Sequence, residues 1–305
     1  MFPRRVDINE KAVQKLVDLY AKSYKEIMKS MEDASDFGIA SRRAIMADIE
    51  KKLERLGVDT DKWIEENVPK QYQAGAAQAV GQLRKAGAKV KVGGNLVAID
   101  RKAIEALMSD TSLRFGEAMS AIKRDATRVF VSASQQEIKQ QIASGIIEGQ
   151  TRKEIAGAVK DSLVKNGLSA MTDKRGRSWT PERYADMLVR TKMVEARNTG
   201  LSNKMLQNDA DLVEVSSHGA EDVCGEWEGQ ILSLTGNTDG FKTVAEAEAD
   251  GLFHPNCRHA INVINPELAA KTSIYENPYN DLDPEARAEV DKEFRNRGPL
   301  QGDTL

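Results

Sequence analysis

Apolar residues recur at helical spacing through most of the N-terminal part of the chain. From Val13 to Met31 they fall on one helix face, which predicts a first helix. A second helix is predicted from Ser41 to Leu56, ended by Gly57. A third is predicted from about Asp61 to Ala86, with a proline inside it that marks a kink or break. The pattern therefore indicates a helical N-terminal region.

The segment after these helices predicts a hairpin and then a long helix. Lys89–Ile99 consists of two short β-like runs joined by glycines. Asp100 is placed to N-cap the next helix. After a predicted break at Ser109–Thr111, an apolar stripe continues towards Ile142, and an unbroken helix of that extent would be about 50 Å long. Such a helix is typical of elongated assemblies, and an ordinary bundle helix with an unmarked break is the alternative.

Helical signals continue up to the point where the pattern changes. A joint at 145–149 precedes a helix that begins with a capping box at Thr151–Glu154. A basic turn at Asp173–Trp179 leads to Thr180–Pro181, an N-cap with proline at the first helical position. The helix that follows is predicted to end at about Asn208.

Past Asp209 the periodicity becomes that of strands. Leu212–Ser216 and Ala260–Ile264 alternate between apolar and polar residues, and glycines become frequent between them. The fold class predicted is mainly α, with a small α+β module near the C-terminus. The predicted parts are an elongated helical region at 1–144, a helical segment at 145–208, a small α+β module at 209–265 and an extended acidic tail at 266–305.

Composition adds three constraints to this outline. Only 5% of the 305 residues are aromatic, which fits a helix-rich protein of about two domains. No apolar run approaches the roughly 18 residues that a membrane span needs, and no apolar signal core follows Met1, so we expect a cytoplasmic protein unless a larger assembly carries it out. Two cysteines are too few for a disulfide framework.

Charge is divided unequally along the chain. Residues 1–208 carry 37 Lys and Arg against 27 Asp and Glu, whereas residues 209–305 carry 7 against 20. The basic part could bind nucleic acid. Alternatively, the unequal charge could simply reflect attraction between two oppositely charged parts of the chain.

Within the basic part, Lys174, Arg175 and Arg177 are candidate phosphate contacts beside Trp179. The alternative is a solvated hairpin tip whose Trp179 packs on the following helix.

All five cysteine and histidine residues lie between residues 218 and 259. They are His218, Cys224, His254, Cys257 and His259. Zinc is usually held by four such ligands, often as two close pairs, and Cys257 with His259 has a suitable spacing for one pair. His218 and Cys224 would form the other, and His254 could replace either histidine. The cluster favours a structural metal site, with plain core packing and a catalytic site as alternatives.

Catalysis would need an open metal position and a general base. Acidic residues lie beside Cys224, namely Glu221, Asp222, Glu226 and Glu228. Solvated surface is their alternative role. His254–His259 also bears a short resemblance to the His–Asn run of HNH-type nucleases. No Walker loop, G-x-S-x-G elbow or H-E-x-x-H sequence is present.

The run from Val215 to Gly236, followed by Asn256–His259, resembles the phage minor capsid protein 2 group of tailed phages. That group is similar to the Mu F-like and SPP1 gp7-like head morphogenesis proteins, and the resemblance covers about residues 145–265. Seven residues match the group's pattern directly: His218, Trp227, Gly229, Asn256, Cys257, Arg258 and His259. Cys224 stands where the group often has His, and Glu228 replaces the usual Gln.

The resemblance implies a virion structural protein without an established catalytic activity. It favours His218, Cys224, Cys257 and His259 as the ligands of a structural zinc ion, with His254 as the alternative. It also implies portal protein, major capsid or scaffolding protein and phage DNA as candidate partners, and no membrane. The expected location is the capsid interior or portal vertex, with the host cytoplasm during assembly. A metal-dependent nuclease or a DNA-binding accessory protein of the phage head is the alternative function.

Overall fold

The structure is a computed structural model of the chain. It describes residues 8–32, 39–91, 98–132 and 178–264, together with Glu148, Glu154 and the pair 171–172. The elements are α1 Glu10–Glu32, α2 Ile39–Lys85, α3 Ala98–Ser132, β1 Met171–Thr172, β2 Ser178–Trp179, α4 Pro181–Leu206, β3 Leu212–Val215, a 3-10 helix Val223–Trp227, β4 Ile231–Ser233, α5 Val244–Ala249 and β5 Ile261–Val263. The predicted mainly α class is confirmed, and the few strands towards the C-terminus form a small antiparallel sheet.

Contacts divide the chain into two compact units. One, which we call the helical unit, comprises Asn9–Asn67 and Ala106–Val189. The other, the mixed unit, comprises Met1–Ile8, Val68–Glu105 and Arg190–Leu305. Each unit is thus assembled from segments that are distant in sequence. The four-part division made from the sequence stays a prediction.

Large side chains form the core of the helical unit. Tyr20 of α1 and Phe115 of α3 are buried, with ring centroids 5.6 Å apart. Trp63 of α2 is also buried, and its Nε1 donates to the carbonyl oxygen of Ala12 at 2.8 Å. Burying the indole with its N–H bonded avoids the cost of an unsatisfied polar group. α1 confirms the first predicted helix.

The predicted end of a helix at Gly57 is wrong, since α2 runs without interruption from Ile39 to Lys85. A glycine inside a helix costs only about 1 kcal/mol relative to alanine. Leu53 and Leu56 on one side of Gly57, and Ile64 on the other, are buried. Their packing supplies more stability than the glycine removes. Pro69 also lies inside α2 and does not end it.

The predicted break at Ser109–Thr111 is also wrong, because α3 continues through it. The Thr111 hydroxyl donates to the carbonyl oxygen of Leu107 at 2.6 Å and is therefore satisfied inside the helix. Ala98 and Ile99, placed by the sequence in a hairpin, begin α3 instead, and Asp100 lies in its first turn. Residues 89–91 of that predicted hairpin are described and form no strand, and its residues 92–97 lie outside the described residues.

In the mixed unit, α2 and α4 cross at two glycines. A Cβ added at Gly75 would overlap the carbonyl oxygen of Arg197, and one added at Gly200 would overlap the carbonyl oxygen of Tyr72. The Tyr72 hydroxyl donates to Asp100 at 2.7 Å. The missing side chains let the two helix backbones touch, so this crossing depends on glycine at both positions.

The sheet of the mixed unit has the order β4-β3-β5, and both pairings are antiparallel. Val213 and Val215 of β3 and Val263 of β5 join a buried core with Trp227. Gln82 of α2 accepts a hydrogen bond from the backbone N–H of Val263 at 2.9 Å. These strands confirm the two predicted from alternation. The predicted helix beginning at Thr151 and the tail at 266–305 lie outside the described residues, apart from Glu154.

Candidate metal centre

Three segments bring the clustered cysteines and histidines together. β3 leads into the loop that carries His218, and the 3-10 helix carries Cys224. The chain returns through His254–His259 to β5. Val215 pairs with Ile261, and the N–H of Ser216 donates to the carbonyl oxygen of Ala260 at 2.8 Å. Pairing of the two strands therefore places the residues just outside their ends side by side.

The two cysteines are in direct contact. Cys224 Sγ lies 3.5 Å from Cys257 Sγ, and Cys257 Sγ lies 3.2 Å from His259 Nδ1. All three side chains are buried. Two sulfurs each about 2.3 Å from a tetrahedral zinc ion would be about 3.8 Å apart, and a sulfur and a nitrogen slightly closer. Each of these two observed separations is therefore close to that of two ligands that share one small ion.

Contact between the two thiols shifts their pKa values in opposite directions. The two sulfurs share a hydrogen bond in which either can donate, and with Cys224 as the donor the pKa of Cys257 is lowered despite its burial. The same hydrogen bond, together with burial, raises the pKa of Cys224. The thiolate is the form of cysteine that binds metals. Cys257 is therefore the thiol of this pair whose ionisation the contact favours.

His259 is oriented by contacts at both ring nitrogens. Its Nδ1 faces Cys257, and its Nε2 lies 3.0 Å from Glu228 Oε1. Metal-binding histidines usually donate their second N–H to a carboxylate in this way, which fixes the ring. The ring of His218 stacks on that of His259 with centroids 4.2 Å apart.

Glu228 is the centre of a hydrogen-bond network. Its carboxylate accepts the backbone N–H groups of His218, Gly219 and Ala220 at 2.8–3.0 Å. The Ser217 hydroxyl donates to it at 3.0 Å. Burial opposes ionisation, but the three backbone hydrogen bonds and the one with His259 outweigh it and lower the pKa of Glu228 to about 2. Gly219 has a φ of 79°, so the loop can turn its N–H groups towards one carboxylate.

His254 lies near the two sulfurs, but both of its ring nitrogens are hydrogen-bonded to oxygen atoms. Its nitrogen and the sulfurs of Cys224 and Cys257 lie within 4.8 Å of one another. However, His254 Nε2 lies 3.0 Å from Asp222 Oδ2, and Nδ1 lies 2.8 Å from the carbonyl oxygen of Pro255. The hydrogen bond to Asp222 raises the pKa of His254 to about 9. Both nitrogens therefore donate, which competes with metal binding.

Asp222 connects His254 to the 3-10 helix. Its Oδ1 accepts the N–H of Cys224 at 3.0 Å and caps the helix, while Oδ2 binds His254. On the other side of the site, atoms of His218, Glu228 and His259 lie within 4.8 Å of one another. The five predicted residues therefore form two groups that meet at the contact between Cys257 and His259.

Sequence reasoning did not find the orienting carboxylates. Glu228 and Asp222 were considered as bases or solvated surface, yet the Glu228 side chain is only 12% exposed. The positions of these two residues in the sequence do not indicate that Asp222 binds His254 or that Glu228 binds His259. Lys174, Arg175 and Arg177 lie outside the described residues. Beside them β1 pairs with β2, and Trp179 packs edge-on against Tyr184 of α4.

The fold and the site together define a class of protein: a mainly helical chain with a small α+β module that carries clustered cysteines and histidines. The profile of the family described as Phage minor capsid protein 2 matches residues 38–295. The chain therefore belongs to the phage minor capsid protein 2 family, and a virion structural role follows from that membership. No curated protein and no solved structure is significantly similar to it. None of the described helices is long and apolar enough to cross a membrane.

Proposed function

We propose that this chain is a portal-associated minor capsid protein that acts in phage head assembly from the capsid interior. Membership of the family over residues 38–295 is the observation that carries the proposal. Portal protein and the major capsid or scaffolding protein are its proposed partners. Packaging or delivery of DNA would follow from a position at the portal. The proposed role is structural, not enzymatic.

The proposed cofactor is one structural zinc ion. Cys224, Cys257 and His259 would be three of its ligands, because all three are buried and Cys257 Sγ contacts both Cys224 Sγ and His259 Nδ1. We propose His218 as the fourth, since it stacks on His259 while both nitrogens of His254 have oxygen partners. His254 is the alternative ligand, on account of its nearness to the sulfurs.

Zinc would hold together the two ends of the segment between Cys224 and Cys257. This segment contains only short elements, β4 and α5. A module with so few strands buries little core, so a metal contributes a large share of its folding free energy. In the proposed role, the metal would keep the module folded during packing into a capsid.

Co-expression with the portal protein of the same phage tests the assembly role. The tagged portal protein is expected to retain this chain through purification, and procapsids are expected to contain it in low copy. Tagged major capsid protein and an unrelated tagged protein serve as comparisons. Failure of portal, shell and procapsids alike to retain the chain would contradict the proposal.

A metal-dependent nuclease is the second candidate function. The observation that favours it is the pair formed by His254 and Asp222, whose side chains are 29% and 40% exposed at the edge of the site. It predicts DNA cleavage that a chelator abolishes and that His254→Ala abolishes without unfolding the protein. Intact DNA after incubation with zinc, magnesium or manganese would exclude this candidate.

A DNA-binding accessory role is supported only by the excess of basic residues in 1–208. Binding through lysine and arginine would weaken steeply as salt is added, because counterions are released from DNA. The full chain should then bind duplex DNA in a salt-dependent manner. Affinity that is absent, or insensitive to salt, would count against this role.

A further inference from the structure

Cys224 and Cys257 are the only cysteines of the chain, and they touch. Their sulfurs are 3.5 Å apart, and both residues are free thiols. Cys224 is fully buried, whereas Cys257 is 6% exposed. A disulfide needs the sulfurs to approach to about 2.05 Å. The two sulfurs would therefore have to move closer together by about 1.5 Å.

We propose that these two cysteines form a reversible disulfide in the metal-free protein. The disulfide would join the same two chain positions as the proposed metal ion. Its formation depends on the contact between the sulfurs and not on zinc, so it does not rest on the proposed cofactor. The modification site is therefore distinct in chemistry from the metal site, although it uses two of the same side chains.

The oxidant is a small disulfide such as oxidised glutathione. The Cys257 thiolate attacks one glutathione sulfur, forms a mixed disulfide and releases a glutathione thiolate. The Cys224 thiol then gives up its proton, and its sulfur attacks Cys257 and releases the second glutathione thiolate. Two protein thiols are oxidised and one glutathione disulfide is reduced; one released thiolate takes the proton of Cys224, and the other takes from solvent the proton that Cys257 lost on ionising. Attack begins at Cys257 because it is the more exposed of the two.

Both cysteine backbones are held in place by the fold. The N–H of Cys224 donates to Asp222 at 3.0 Å, and the N–H of Cys257 donates to the carbonyl oxygen of His254 at 2.9 Å. In the unfolded chain the same thiols are separated by a long flexible loop, whose closure costs entropy. The folded chain has already met that cost. The effective concentration of one thiol near the other is therefore much higher in the folded protein.

Metal and disulfide exclude each other, because a sulfur engaged in a disulfide is no longer a thiolate ligand. A virion component passes from a reducing cytoplasm to an oxidising medium, where disulfides persist. If zinc is lost there, the disulfide would still join the two ends of the segment between Cys224 and Cys257. The pair thus provides two alternative cross-links for one module, suited to two environments.

The test measures the disulfide equilibrium of the full-length, chelator-treated protein in glutathione redox buffers. Samples are acid-quenched and analysed by intact mass, both folded and in concentrated urea. We expect a monomer lighter by about 2 Da, with an equilibrium constant for disulfide formation at least about tenfold higher in the folded protein. An equal or smaller constant when folded, covalent dimers, or persistent mixed glutathione adducts would overturn the proposal.

Single-cysteine variants and a zinc arm complete the experiment. Cys224→Ser and Cys257→Ser should give only mixed disulfides with glutathione, and the wild-type comparison does not depend on whether these variants fold. Added zinc should shift the wild-type equilibrium towards the thiols. Disulfide formation that is the same with and without zinc would support the disulfide and contradict the metal proposal, so the two failures are distinguishable.

Discussion

His259 Nε2 lies 3.0 Å from Oε1 of Glu228, the carboxylate that also binds the backbone of residues 218–220. One side chain therefore fixes the ring of a proposed ligand and the loop that carries another. The position of His218 and that of His259 are coupled through Glu228. A change at Glu228 should consequently affect metal affinity and folding together.

Glu228→Gln should reduce zinc affinity by about 10- to 100-fold, the usual effect of removing a carboxylate that orients a ligand. It should also destabilise the module by about 2 kcal/mol, because hydrogen bonds to a charged acceptor are replaced by weaker ones. Competition with a chromophoric chelator and urea denaturation measure the two effects. Glu221→Gln, which removes the same charge from an exposed side chain nearby, is the matched control. Equal behaviour of the two variants would refute the role given to Glu228.

His218→Ala should lower zinc affinity more than His254→Ala. The reason is that His254 has oxygen partners at both ring nitrogens, whereas His218 stacks on a proposed ligand. Isothermal titration of the metal-free variants with zinc gives the comparison, and circular dichroism checks that each remains folded. If His254→Ala proves the more damaging, His254 and not His218 completes the site.

The glycines at the helix crossing should not tolerate a methyl group. Gly75→Ala and Gly200→Ala each place a Cβ onto a backbone carbonyl oxygen, and we expect a loss of about 3 kcal/mol or more in the free energy of unfolding. Gly81→Ala in the same helix α2 is the control, since a Cβ there meets nothing within 4 Å. That variant should gain about 0.5–1 kcal/mol. Urea denaturation curves measure all three, and similar losses at positions 75 and 81 would contradict the close crossing.

Asp211 should make the free energy of unfolding depend on pH in the acidic range. Burial opposes its ionisation, but hydrogen bonds from Ser233, Thr238 and Thr235 outweigh this and lower its pKa to about 2. The folded pKa is below the ordinary value of 3.8, so the stabilisation is fully present above about pH 4 and is lost as pH falls through 2. Because Asp211 is only partly buried, solvent screens these interactions and the contribution is on the order of 1 kcal/mol.

The comparison that isolates Asp211 is the pH dependence of unfolding free energy in wild type and Asp211→Asn. Both variants should lose stability in acid through other groups, and only the difference between them is assigned to this residue. The difference should shrink between about pH 4 and pH 2. A difference that is constant over that interval would show that Asp211 stays ionised equally in the folded and unfolded chain.

Periodicity predicted the elements that lie on a single buried face, and it failed where packing overrides a local signal. Alternation was sufficient for β3 and β5, and Thr180 N-caps α4 as expected, with the N–H of Arg183 donating to its hydroxyl. Gly57 and Thr111 were predicted as helix breaks because their intrinsic preference was considered without the core on either side. Burial of neighbouring residues decides such positions, and a single sequence does not show it.

Short elements between the proposed ligands were missed for a different reason. β4 has three residues and α5 has six, too few for a periodic pattern to show. A signal for α5 was present, since Thr243 and Glu246 form a capping box at its start. The clustering of cysteines and histidines in sequence predicted that they lie in one small region, and the structure places them in two adjoining groups. It could not assign a role to Glu228, because only the folded loop directs three N–H groups to its carboxylate.

Zinc content of the full-length purified protein tests the central claim most directly. The account predicts about one equivalent of zinc per chain, as a single four-ligand site requires. In Cys257→Ala both the bound metal and the cooperative melting of the module should be lost, and chelation of the wild type should lower its melting temperature. Wild-type protein that contains no metal, and whose melting curve is the same with and without a chelator, would contradict the account.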